Sequence, residues 1–251
     1  MAVISQPIAK HLLSLKRQLR EKAEADGLVW DGSKFEALYK LSRKMAAAHI
    51  PQKFWGHTLA ALVPQNPISE RTMKKISGYV ANLERAHMHG IGLFFFGPHG
   101  TGKSFAASLV GKECLRSNYS ARFTMLSEII TMFTDGWYDV GKRADFIEII
   151  REVDFLIIDD VAREYQSKNA DLNRAALDAV FRGRANDNLP TIVTSNYDFL
   201  APEGGSGLNE AYGDHLISLF KEHLIKCPLV GFDIRDTKIA PSLEATLLGE
   251  A

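Results

Sequence analysis

Residues 94–108 read FFFGPHGTGKSFAAS, and within them Gly97, Gly102, Lys103 and Ser104 satisfy the pattern G-x-x-x-x-G-K-S without a gap. The apolar run IGLFFF before it (91–96) has the length of a strand, and KSFAASLVGKECL after it (103–115) reads as a helix. A glycine-rich loop between a strand and a helix is the setting in which this pattern cradles phosphate. Its glycines let successive N–H groups curl round an anion, and the helix N-terminus adds partial positive charge. The stretch predicts a nucleoside triphosphate site formed by Gly97, Pro98, His99, Gly100, Thr101, Gly102, Lys103, Ser104 and Phe105. Lys103 is expected to reach the β- and γ-phosphates from an open loop, and Ser104 to ligate Mg²⁺.

A phosphate loop needs a carboxylate at the end of a neighbouring strand to support the metal from its other side. FLIIDD (155–160) supplies one: four apolar residues predict a strand buried on both faces, with Asp159 and Asp160 at its C-terminal edge. Asp159 is expected to support Mg²⁺. Asp160 is expected to orient the attacking water, with Glu164, one helical turn on, as its rival. LPTIVTSNYD (189–198) predicts a further strand whose following Asn196 can sense the γ-phosphate. No Asn-Lys-x-Asp guanine motif and no Leu-Ser-Gly-Gly-Gln signature occurs, which argues against GTPases and transporter ATPases.

Strands are predicted at 91–96, 121–125, 154–159, 191–195 and 228–232, with helical patterns between the first four. That alternation predicts an α/β fold with a parallel sheet flanked by helices. Ahead of it lie two amphipathic helices, one over 5–25 (Ile8, Leu12, Leu15, Leu19) and one over 33–49. HIPQKFWGHTL (50–60) reads as a linker, Ser69 as the cap of a helix running to 88, and 198–214 as a glycine-rich loop. The expected organisation is a small helical partner-binding region (1–49), a linker and helix (50–90) and the α/β core (91–251).

Of 251 residues, 46% are hydrophobic, ordinary for a globular chain. No apolar run approaches the length of a membrane span, and no secretory signal is read. Cys114 and Cys227 stand far apart, as expected of reduced thiols in a cytoplasmic protein. Charge is uneven. Residues 1–90 carry 14 Lys and Arg against 7 Asp and Glu, and the remainder 16 against 23. The basic third is either a solvated surface or a surface that meets something acidic, with nucleic acid the obvious candidate.

GLFFFGPHGTGKS, DFLIIDD and LPTIVTSN, in this order and spacing, resemble the AAA+ ATPases of the bacterial helicase-loader type. That group includes DnaC- and DnaI-like loaders, phage counterparts and IstB-like transposition ATPases. The likeness covers roughly residues 50 to 236 and includes HIPQKFW and GFDIRD (231–236). It implies an ATP- and Mg²⁺-dependent ATPase that loads a replicative helicase and binds DNA, single-stranded in form, as a possible homo-oligomer. The alternative is a transposition ATPase that binds double-stranded DNA and activates a transposase. It also implies that Arg235 is a second sensor and that Arg182 matches an arginine often seen ahead of the sensor strand. Where the family carries an arginine finger, LISLFKEHL (216–224) has Leu219, with Lys221 nearby. Arg182 or Arg184 could replace the finger, or a partner could donate it.

Overall fold

The computed structural model describes residues 32–161, 170–200 and 207–231, with isolated positions between 14 and 25. Among the described residues, eight helices flank five strands. In chain order these are α1 (Ser33–Ala47), α2 (Pro67–Ala81), α3 (Leu83–Met88), β1 (Gly92–Phe96), α4 (Lys103–Arg116), β2 (Ala121–Met125) and α5 (Leu126–Asp135). They continue as α6 (Val140–Arg151), β3 (Phe155–Val161), α7 (Ala170–Asn186), β4 (Thr191–Ser195), α8 (Leu208–His223) and β5 (Leu224–Pro228). The sheet order is β2-β3-β4-β1-β5, and every pairing is parallel.

Both faces of the sheet are buried, which is why its strands read as unbroken apolar runs. Leu93, Phe95, Ile157 and Ile192 face a core built with α1, α2 and α4. Phe94, Leu156, Ile158 and Val193 face the opposite core, built with α5, α6, α7 and α8. Side chains alternate along each strand, so β1 feeds both cores from one apolar run.

The edge strand β5 departs from expectation, lying at 224–228 and not at 228–232. In LIKCP only Leu224 and Cys227 are buried, and the Lys226 ammonium reaches Asp198 at 2.6 Å, so it lacks the continuous apolar signal of the central strands. Helix α2 lies over this edge and satisfies its carbonyls. Asn66 Nδ2 and Ser69 Oγ donate to Val230 O, Thr72 Oγ1 to Pro228 O at 2.6 Å and Lys75 Nζ to Lys226 O at 2.7 Å. Donors roughly one helical turn apart thus cover an edge that would otherwise be open to another strand.

Other boundaries are corrected by local chemistry. Asn66, not Ser69, caps α2, its side chain accepting from the Ser69 amide at 2.8 Å. The helix expected to continue to 88 breaks at Asn82, whose backbone is non-helical. The segment expected to be a linker is packed: Ile50 and Trp55 are buried, and the Trp55 indole N–H donates to Ile50 O. Helix α1 is docked as well. Met45 and Ala48 lie in the core, the Phe123 amide donates to Ala48 O at 2.7 Å and Lys44 donates to Leu115 O. A division at 49/50 therefore cuts through continuous packing. Of the expected loop 198–214, residues from Leu208 onward are helical, with a kink at Gly213. The 5–25 helix falls almost entirely outside the described residues, as do Glu164 and Arg235.

Candidate functional site

The loop between β1 and α4 is shaped by backbone that only glycine accepts easily. Gly97 has φ of 141°, and a Cβ there would collide with the Leu229 carbonyl oxygen just past β5. Gly102 has φ of 90° and caps α4 without any side-chain bond to its amides. The first turn of α4 holds no acidic residue. Its N–H groups and dipole are left for an anion. Thr101 Oγ1 braces the loop by donating to Pro98 O at 2.9 Å. Lys103 does not extend into open space as expected. It is buried, and its ammonium donates to Gly97 O at 2.9 Å and Pro98 O at 2.7 Å, spanning the mouth of the loop.

Beside the loop, β3 bulges. Ile158 pairs with Val193 and Val161 with Ser195, so Asp159 and Asp160 together face the single residue Thr194. A bulge of this kind redirects side chains. Asp160 adopts φ of 57°, a left-handed conformation that aspartate tolerates better than most residues. Thr194, buried within β4, uses both functions of its hydroxyl here. It donates to Asp159 Oδ1 at 2.6 Å and accepts from the Asp160 amide at 2.9 Å. Asn196 Nδ2 approaches Asp160 Oδ1 at 3.3 Å.

Ser104, in the first turn of α4, lies near enough to Asp159 to oppose its protonation. Burial raises the Asp159 pKa, while the bond from Thr194, the nearby Ser104 and the charge of Lys103 oppose the rise and Asp160 adds to it. A serine hydroxyl and a carboxylate are hard-oxygen donors of the kind that suits Mg²⁺. Among the described residues no group of three or more His, Cys, Asp or Glu could hold a metal. Two side chains alone do not complete the octahedral oxygen shell that Mg²⁺ demands.

The structure brings Lys103, Ser104, Asp159, Asp160 and Asn196 together at the C-terminal ends of β1, β3 and β4. It does not bring Arg182 to them. That residue lies near the end of α7 and pairs with Asp178 at 2.6 Å. Arg184 is fully buried and donates to five carbonyls, those of Ile149, Ile150, Val153, Asp154 and Pro190, and to Thr191 Oγ1. Burial lowers its pKa to about 9, which leaves it charged at neutral pH. It is a clamp on the N-terminal ends of β3 and β4 and is not available as a finger. Leu219 packs half-buried against the second core. Thr194 escaped the sequence reading, although a polar residue inside TIVTS, adjacent to a paired acidic strand, is its signal.

A parallel sheet of this order, with a phosphate loop after β1, an acidic pair on β3 and an asparagine after β4, has the fold of P-loop domains of the AAA+ type. No family model matches the chain. Over 164 residues it is 20% identical to the replicative helicase loader DnaI of Bacillus subtilis (strain 168), covering 65% of this chain and 51% of that protein. The match thus spans about half the relative's length. A crystal structure of the DnaC helicase loader is similar with a TM-score of 0.60 and 22% identity, over 72% of this chain and 100% of that one. A crystal structure of DnaI gives 0.57 and 18%, over 72% and 94%. The replication initiator DnaA bound to AMPPCP and single-stranded DNA gives 0.56 and 17%, over 78% and 56%. The chain's likeness in sequence and fold is to the DnaC/DnaI-like AAA+ proteins.

Proposed function

We propose that this chain is an ATP-dependent loader of a replicative DNA helicase that binds Mg·ATP and single-stranded DNA. The observation that carries the nucleotide half is the Thr194 hydroxyl, which holds the two acidic residues of β3 beside the phosphate loop. Amides from His99 to Gly102 cradle the β-phosphate, and Lys103 leaves its loop carbonyls to neutralise the β- and γ-phosphates. Ser104 and Asp159 hold Mg²⁺, which when bound neutralises charge developing on the phosphate oxygens. Asp160, or Glu164, orients the attacking water, and Asn196 reads the γ-phosphate through its contact with Asp160. Arg235 is proposed to reach the γ-phosphate as a second sensor, and Arg182 to act across a contact between copies.

The loader half is supported by the likeness to DnaC and DnaI and by the basic N-terminal third, which offers a surface for the helicase or for DNA. The test is affinity capture with the full chain from its native host, with and without ATP, beside ATP binding by Lys103→Ala. Recovery of the replicative helicase by the wild type, and loss of ATP binding in the variant, is expected. Recovery of a transposase in its place would replace the loader reading with the transposition one.

A further inference from the structure

Lys112 lies on α4, nine residues beyond the phosphate-loop lysine, and is only 5% exposed. Among the described residues its ammonium meets no carboxylate, and it donates to Trp55 O at 2.6 Å and His57 O at 2.8 Å. Burying an ammonium is costly unless its hydrogen bonds are met, and here they are met by an irregular turn. The next residue inward, Gly111, lets α4 press on β3, since a Cβ there would lie 2.5 Å from Ile157 Cδ1. Lys112 thus ties the 52–57 turn to a helix that packs closely on the sheet.

That turn carries two rings to the start of the same helix. Phe54 lies 5.2 Å from Phe105, and His57 lies 5.2 Å from it at 88°. Phe105 directly follows Ser104 in the first turn of α4. Phe54 and Phe105 are half-buried and His57 is exposed, so the cluster keeps an open side next to the phosphate loop.

Resting on the nucleotide reading above, we propose that Lys112 is a positioning residue for the nucleotide base. Its two bonds hold Phe54 and His57 against Phe105, and this aromatic wall takes the base while the loop takes the phosphates.

The test compares Mg·ATP with inorganic tripolyphosphate, which has the phosphates but no base, by calorimetric titration of the full chain. Wild type should bind ATP more tightly than tripolyphosphate. Lys112→Met should weaken ATP about tenfold, the scale of one lost base–aromatic stack, and leave tripolyphosphate unchanged. Phe54→Leu, which keeps both Lys112 bonds, should lower the same preference, and the double variant should be no worse than the worse single one. Equal losses on both ligands would mean that Lys112 is only a prop. No loss of preference in Phe54→Leu would overturn the proposal even if Lys112→Met failed to fold. A wild type that binds tripolyphosphate but gains nothing from the base would overturn it too. Failure of the wild type to bind either ligand would instead sink the nucleotide reading beneath it.

Discussion

Thr194 Oγ1 and Asp159 Oδ1 meet at 2.6 Å across the β3–β4 pair, and the same hydroxyl accepts the Asp160 amide. One side chain therefore fixes both members of the acidic pair, at the point where β3 carries an extra residue. The bond to Asp159 sets where the metal-side carboxylate points. The bond from Asp160 holds a left-handed residue that the sheet ladder no longer pairs.

Thr194→Val keeps the volume and removes both bonds. The part-buried Asp160 amide then loses its bond to Thr194, which costs about 0.5–1.5 kcal/mol of stability. ATP affinity should hold, because the phosphate loop is untouched. Turnover should fall about a hundredfold, as expected when a catalytic group is misplaced by about 1 Å. Urea denaturation and single-turnover hydrolysis measure the two effects. Undiminished turnover would show that the bridge is dispensable.

Asp159 makes a separate pH prediction. Burial raises its pKa above the ordinary 3.8, so the folded chain keeps a proton that the unfolded chain releases. Its contribution to stability is present below that value and is lost as pH rises through the raised one. A tenfold change in proton affinity corresponds to about 1.4 kcal/mol. Asp159→Asn should accordingly match the wild type in thermal melts near the ordinary carboxylate value and exceed it at neutral pH. The variant should also lose the extra stabilisation that Mg·ATP gives the wild type. A gap that stays flat across the pH series would rule out a raised pKa.

Sequence pattern makes some of this site legible and leaves the rest hidden, for physical reasons. The phosphate loop and FLIIDD announce themselves because glycine geometry and a strand buried on both faces impose residue types locally. Thr194 acts through a partner 35 residues away, and that pairing exists only after β4 inserts between β1 and β3. Pattern alone misplaces β5, because this edge strand buries only Leu224 and Cys227 and carries Lys226, and the apolar run beside it is the stronger signal. The 50–60 segment reads as a linker because Pro51 and Gly56 punctuate it. Its anchors, Trp55 and the Lys112 ammonium, are nonlocal.

The packing of α1 sets a truncation experiment. Deleting residues 1–31 leaves Met45, Ala48 and the Phe123–Ala48 bond in place. Deleting 1–49 removes all three and should cost about 3 kcal/mol or more, the scale of truncating one buried methionine. On the loader reading, both deletions lose the helicase in co-purification, but only the longer one melts early. Equal melting temperatures would contradict the docking of α1.

The missing finger gives the last prediction. Leu219 stands where the helicase-loader resemblance implies an arginine, and it packs into the core instead of presenting a charge. Arg184 is held by five carbonyls and cannot reach a neighbouring copy without dismantling the N-terminal ends of β3 and β4. Arg182, on the surface of α7 and paired with Asp178, could turn to a second copy at small cost, because exposed i,i+4 pairs are screened by solvent and contribute little. An arginine finger accelerates phosphoryl transfer by about 10³- to 10⁵-fold, so its absence is easy to see. The dilute chain should therefore turn over ATP slowly. Steady-state rates are measured against protein concentration, with and without single-stranded DNA and the helicase. A steep rise with concentration that Arg182→Ala abolishes assigns the finger to Arg182. A rise that needs the helicase, and survives Arg182→Ala, means that the partner donates the charge. Fast turnover by the dilute monomer would mean that hydrolysis here needs no finger at all.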